Sequence, residues 1–180
     1  MVSGIGPAED LKAVGSDAIA DLPVGQGLQD HILGAGVPIE TNGPVPVSQY
    51  NHCEAVMWER SDSSMRAPDT VALYASAPFV SQGHKVKFEH AFSLLSGVAT
   101  PASRGHVKLA SSDIADAPII ETNYLAEEQD WKSYRASTEI CREIGASNYY
   151  KDVRKRELLP EKDGELTDAE WREFLAKSVN

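Results

Sequence analysis

Cysteine is almost missing from this chain: there are two in 180 residues, Cys53 and Cys141. Two cysteines so placed make neither a metal-ligand spacing nor a disulfide framework, so free thiols in a reducing, cytoplasmic setting are expected. Long apolar runs are missing too. No window approaches the ~18 consecutive apolar residues that a membrane helix needs, so no membrane span is expected. The first residues lack the basic and apolar regions of a secretory signal. Positive charge is scarce: 17 lysines and arginines stand against 27 acidic residues, a formal net charge of -10. That excludes a nucleic-acid partner, whose phosphates require a clustered basic face. The dense basic run is Lys151, Arg154, Lys155 and Arg156. Acidic residues soon follow it, and it reads as a solvated helix face.

What is present is a globular composition, 42% apolar and 24% charged. A chain of roughly 150 residues or more buries about 70% of its unfolded surface, enough for one core. Pro7 suits the first turn of a short helix over 8–14, which Gly15 stops. Residues 19–24 read as extended, and Gly25 and Gly27 mark a tight loop. Residues 32–50 mix strand and loop, and the polar stretch 59–69 is loop. Strands are predicted at 54–58, at 70–74 with an extension at 78–80, and at 86–95, 106–110 and 118–120. Val107 and Leu109 share one strand face, with Lys108 on the other.

From residue 127 the pattern turns helical. Trp131, Tyr134, Thr138, Cys141 and Ile144 recur at three- and four-residue steps and form one apolar stripe. A second helix is predicted over 150–157, stopping before Pro160. A third starts at Thr167, where Thr-x-x-Glu through Glu170 makes a capping box, and buries Trp171, Phe174, Leu175 and Val179. Strands first and helices later give an α+β fold, an antiparallel sheet packed by helices.

The glycine motifs do not carry a dinucleotide site. In Gly25-Gln26-Gly27-Leu28-Gln29-Asp30 the third glycine is replaced by Asp30, and Ser3-Gly4-Ile5-Gly6 has no strand before it. His52 and Glu54 share a strand face, but two ligands do not make a metal site. Asp30-His31 is either a base with its orienter or a pair that satisfies local backbone. No serine stands on a nucleophile elbow. Glu54 sits beside the apolar run Ala55-Val56-Met57-Trp58. It either faces water from a half-exposed strand or, buried, requires a partner or a cationic ligand.

Several runs occur in a telling order: Ser3-Gly4-Ile5-Gly6-Pro7, then Leu28-Gln29-Asp30-His31, then Ser103 to Ser111. Pro118-Ile119-Ile120, Asn123-Tyr124-Leu125 and Arg156-Glu157-Leu158-Leu159-Pro160 follow. In that order they resemble the glucose–methanol–choline family of flavin-dependent alcohol oxidoreductases. Gly27 stands where that family usually has asparagine. The resemblance covers about residues 2–180 and implies the middle of an enzyme. The family's glycine loop is expected before Met1 and its catalytic histidine beyond Asn180, so no catalytic residue is assigned within the chain.

The resemblance implies further expectations. Residues 1–40 are a segment associated with the flavin domain, and residues 41–180 belong to a substrate domain whose sheet covers the flavin. Asp30 and His31 are cofactor-binding candidates, and the cofactor is FAD. Residues 45–100 wall the pocket for a small-molecule alcohol, with Glu54 and His84 as substrate-binding candidates. In the choline-oxidising branch a carboxylate matching Glu54 contacts a quaternary ammonium, although His52 and Cys53 stand where that branch has paired tryptophans. Alone, the chain is expected to be inactive. The alternatives are a non-catalytic truncated module and one chain of a split enzyme. Trp171, Phe174 and Leu175 are expected to lack part of their packing surface, which favours self-association or a complementing chain.

Overall fold

A computed structural model describes residues 1–34, 36–162 and 164–179. In chain order the strands are β1 (Ile5–Gly6), β2 (Ala20–Asp21), β3 (Gln26–Leu28), β4 (Ile32–Leu33), β5 (Val37–Thr41), β6 (Ala55–Glu59), β7 (Thr70–Ala75), β8 (Ala91–Val98), β9 (Gly105–Lys108), β10 (Ile119–Glu121) and β11 (Arg154–Glu157). The helices are α1 (Ala8–Ala13), α2 (Glu128–Ala146) and α3 (Asp168–Ser178), with a 3-10 turn at Asn148–Tyr150. Contacts divide them into two compact units, Met1–Asp30 with Ala102–Ala126, and His31–Pro101 with Glu127–Asn180. The α+β architecture read from the sequence is the one observed.

In the first unit, β10, β9 and β3 form an antiparallel sheet, and β1 pairs with β2 in parallel. Pro7 caps α1 from outside, and the helix starts at Ala8, whose N–H donates to Asp21 Oδ1 at 3.0 Å. Gly15, at φ +75, closes the helix with its N–H on Lys12 O. Leu11 is the side chain that α1 buries.

The second unit holds a six-stranded antiparallel sheet in the order β11-β5-β8-β7-β6, with β4 also paired to β8. The boundary expected at 40/41 falls inside β5, which is hydrogen-bonded on both sides, to β11 and to β8. The helix α2 lies across β8, β7 and β5. Val37, Ile39, Ala72, Phe92, Leu94 and Cys141 form the core between them.

The buried face of α2 is more polar than its apolar stripe suggests. Ser137 Oγ donates to Val71 O at 2.9 Å and accepts Gly97 N–H at 3.1 Å. Thr138 meets Ser96 Oγ at 2.9 Å, and the Cys141 thiol reaches Leu95 O at 3.6 Å. Small hydroxyl side chains bring the helix close to the sheet while satisfying buried polar groups. Burial pushes the Cys141 thiol up to about 12, so it stays a neutral packing group.

Three predicted elements differ. The strand expected at 86–95 is β8, Ala91–Val98, and residues 78–80 form no strand. The helix expected over 150–157 is a 3-10 turn followed by β11. Arg154, Lys155 and Arg156 of the basic run therefore lie on an edge strand, not on a helix face, and Lys151 follows the 3-10 turn. A bulge between Arg154 and Arg156 shifts the register against β5. Two residues then oppose one, and both Lys155 Nζ (2.9 Å) and Arg156 Nε (2.8 Å) reach the buried carboxylate of Glu40.

The predicted capping box is present: Thr167 N–H donates to Glu170 Oε2 at 2.7 Å, and Glu170 N–H donates to Thr167 Oγ1 at 3.4 Å. The expectation that Trp171, Phe174 and Leu175 lack packing surface is corrected: they are 3%, 7% and 1% exposed. The Trp171 ring packs on Phe174 at 6.2 Å and under the Arg135 guanidinium at 5.4 Å, which together cover it.

Candidate functional site

Side chains alternate across a sheet, so the strand register sorts the second unit's residues into two faces. Met57, Ala72, Tyr74, Phe92 and Leu94 point to the α2 side. The opposite face carries two cross-strand rows. One runs Val56–Leu73–Leu95, and the next runs Trp58–Val71–Gly97–Leu33. Gly97 keeps the second row tight: a Cβ there would stand 3.0 Å from Val71 Cγ1 and 3.3 Å from Leu33 Cδ1. Three of these side chains remain open to solvent, Val56 at 54%, Trp58 at 55% and Leu33 at 38%. This is a continuous apolar surface on a sheet whose other face is closed by a helix, and such surfaces mark binding sites.

Glu54 stands one residue before β6 and is exposed. Of its two alternatives the structure takes the water-facing one. Its carboxylate accepts the Ser48 hydroxyl. The same Ser48 oxygen accepts Tyr50 N–H at 3.2 Å and His52 N–H at 2.9 Å. Asn51 and His52 are both left-handed, at φ 26 and 59, a conformation that costs non-glycine residues of order 1–3 kcal/mol each. His52 Nδ1 lies 3.1 Å from Ser76 Oγ, which ties the turn to the end of β7. Burial, with Tyr150 and Glu54 nearby, holds the Tyr74 hydroxyl above its usual range.

His84 is half-buried elsewhere in the same unit. Its ring packs on Phe174 at 5.2 Å, and Nε2 lies 3.0 Å from Ser178 Oγ. The Ser178 hydroxyl donates to Phe174 O at 2.8 Å. Burial pushes this imidazole below its usual range. Among the described residues no hydrogen bond or ion pair joins His84 to Glu54.

Asp30, in the first unit, accepts the Tyr124 hydroxyl at 2.5 Å. Burial, and then this bond to a carboxylate, push Tyr124 up to about 12. Asn123 and Leu125 flank it at φ 54 and 58, and Asn123 Nδ2 donates to Arg104 O at 3.0 Å. His31 is exposed and falls in the second unit. Gly25, at φ +83, serves the turn into β3, and Gly27, at φ +72, sits inside β3 where its register against β9 shifts. A Cβ on Gly25 would meet Val107 O at 2.2 Å, so that glycine admits a neighbouring strand rather than a phosphate. Among the described residues no three His, Cys, Asp or Glu side chains converge to hold a metal ion, and no helix is long and apolar enough to cross a membrane.

The family model for GMC oxidoreductase matches residues 101–180. The oxygen-dependent choline dehydrogenase of Brucella ovis is 30% identical over 99% of this chain and 37% of its own length. The choline oxidase of Arthrobacter globiformis is 32% identical over 100% of this chain and 34% of its own. The crystal structure of pyridoxine 4-oxidase from Mesorbium loti superposes with a TM-score of 0.90 at 37% identity, over 99% of this chain and 35% of that one. Residues 101–180 match the GMC oxidoreductase family, and the chain along its whole length is similar to these relatives. It spans about a third of the length of these GMC relatives. FAD is the cofactor of the GMC homologues.

Two features of this surface are not legible in the sequence alone. Ser48 was grouped with a mixed loop, although a serine ahead of a polar turn is a known competitor for backbone N–H groups. The two rows, Val56–Leu73–Leu95 and Trp58–Val71–Gly97–Leu33, depend on register, which one strand's sequence does not state.

Proposed function

We propose that this chain supplies the substrate-facing sheet of an FAD-dependent oxidoreductase that acts on the CH–OH group of alcohols. The observation that carries the reading is the open apolar face of Val56, Trp58, Leu73 and Leu95; we place the Glu54 carboxylate, one residue before β6, beside it. An apolar face of this kind suits a planar ring system and excludes water from it. Bound FAD supplies the hydride acceptor. The sheet face shields the reacting carbon, and Glu54, fixed by Ser48, orients a positively charged alcohol by its carboxylate. That choice agrees with relatives named for choline and pyridoxine. His84 is our second substrate-side residue, and Asp30 and His31 are our proposed cofactor contacts, with residues 1–40 on the flavin side and 41–180 on the substrate side. No residue of 1–179 is proposed as the base that takes the hydroxyl proton.

The 180-residue chain by itself is proposed not to turn over. The test is flavin loading followed by reduction. The chain is titrated with FAD alone, and again beside complementing chains that carry a Gly-x-Gly-x-x-Gly loop and the His-Pro-x-Gly-Thr histidine. Loading in the second titration, with bleaching of the flavin by choline or pyridoxine, supports the reading. Flavin that loads and is bleached by no alcohol overturns it.

A further inference from the structure

Asn42 directly follows β5 and precedes Gly43. Its N–H donates to Val153 O at 2.9 Å, adding one bond to the β5–β11 ladder. Its side chain is exposed, and its tether runs from Nδ2 to Arg154 O at 3.4 Å, beyond the usual range for N–H···O bonds. The Gly43 N–H has no hydrogen-bond partner among the described residues. A Cβ built on Gly43 would meet nothing within 4 Å, and the backbone there is not left-handed. The Thr41 hydroxyl donates to Gly43 O at 2.7 Å, so the turn is held by the carbonyl while the backbone nitrogen next to the carboxamide stays unpaired among the described residues.

We propose that Asn42–Gly43 is a site of spontaneous deamidation, with water as the co-reactant. The Gly43 nitrogen attacks Asn42 Cγ. The N–Cγ bond forms, the Cγ–Nδ2 bond breaks, and ammonia leaves with the proton from the Gly43 nitrogen. Water then opens the five-membered imide. Opening at the side-chain carbonyl gives aspartate, and opening at the main-chain carbonyl gives isoaspartate, whose backbone runs through one extra methylene. No oxidant or reductant takes part. Glycine favours the step because it has no Cβ to obstruct the approach. Asn51, Asn123 and Asn148 precede His52, Tyr124 and Tyr149, whose side chains obstruct it.

The product changes the sheet edge. Aspartate loses the Nδ2 donor and sets a carboxylate against Arg154 O. Isoaspartate also shifts Asn42 N–H away from Val153 O. Both loosen β11 from β5.

The chain is aged at neutral pH and body temperature, folded and in urea, and mapped by peptide mass spectrometry. Asn42 should convert in the folded chain within about threefold of its rate in urea, because opening an exposed loop costs almost no free energy. Aspartate and isoaspartate products should both appear. Gly43→Ala, which the open space accommodates, should slow the conversion several-fold while the protein stays folded. Hydrogen exchange of the 154–157 amides should speed up in the aged chain. Asn42 that survives in the folded chain while converting in urea overturns the proposal, as does equal conversion at Asn51, Asn123 or Asn148.

Discussion

The hydroxyl of Ser48 gathers two backbone N–H groups and faces the Glu54 carboxylate, so one small side chain sets the geometry of the turn before β6. In a flavin-loaded protein, Glu54→Gln should raise KM for choline about ten- to a hundredfold, from the ~1.5–3 kcal/mol of a hydrogen bond to a charged group. It should leave an uncharged alcohol unaffected, and a loss equal for both substrates would remove Glu54 from the proposed role. Asp69 is 1% exposed and is satisfied by Ser61 N–H at 2.8 Å, Ser61 Oγ at 2.6 Å and Ser133 Oγ at 2.6 Å. Burial alone would raise its carboxyl, but these bonds hold it below the ordinary Asp value. Glu40 is likewise held low by Arg156 and Lys155. Both folded-state values lie below the unfolded ones. The stability they contribute is therefore complete above the ordinary values of 3.8 and 4.5, and is lost as pH falls through the lowered ones. Thermal melts should show a constant Tm near neutrality and a fall below about pH 4. Ser133→Ala should cost about 1.5–3 kcal/mol near neutrality and make that acid fall smaller, because less of the lowering of Asp69 remains to be lost. An unchanged Tm for this variant would deny the network its weight. Asp69 was unreadable in the sequence because its partners lie 8 and 64 residues away.

At the scale of elements, local chemistry was enough where an element carries its own signal. The capping box of α3 is four residues long and needs no tertiary partner, so it was legible. Thr167→Ala should lower stability by about 1 kcal/mol, measured by denaturant unfolding. No loss would mean that packing of Trp171 and Leu175 alone starts the helix. The segment 150–157 is the opposite case. It is polar and has no apolar period, and its charges fit a helix as well as a strand. Its fate is decided by pairing with β5 and by the buried Glu40, 115 residues distant from Lys155. Likewise α2 was found from its apolar stripe, yet Ser133, Ser137 and Thr138 make its closest polar contacts, and periodicity in hydrophobicity is blind to serine. Entry into β5 depends on Gly36, at φ +62, where a Cβ would lie 1.9 Å from Leu94 O. Gly36→Ala should destabilise the chain by about 2 kcal/mol or more, since backbone strain and overlap add. A loss under half of that would show that β8 yields at Leu94.

For the whole molecule, the ordered motifs were enough to reach the family, because each is local and their order is itself information. The division of the chain was less legible: Ala102–Ala126 joins Met1–Asp30 across a long intervening stretch, and sequence neighbours do not report such a return. The second unit leaves Val56 and Trp58 open on β6, its last strand. Val56→Lys with Trp58→Lys should therefore reduce concentration-dependent association in sedimentation velocity, without lowering Tm by more than the ~0.5 kcal/mol of an ordinary surface change. A wild-type chain that sediments as a monomer at every concentration would exclude association through this edge. The two rims of the sheet are also unlike each other. At one rim β11 offers lysine and arginine, which discourage strand addition, and at the other β6 offers tryptophan and valine. A sheet with a single receptive rim has a valence of one. Two copies joined through β6 would saturate each other's receptive rim in this sheet, so growth along this sheet would stop at a pair.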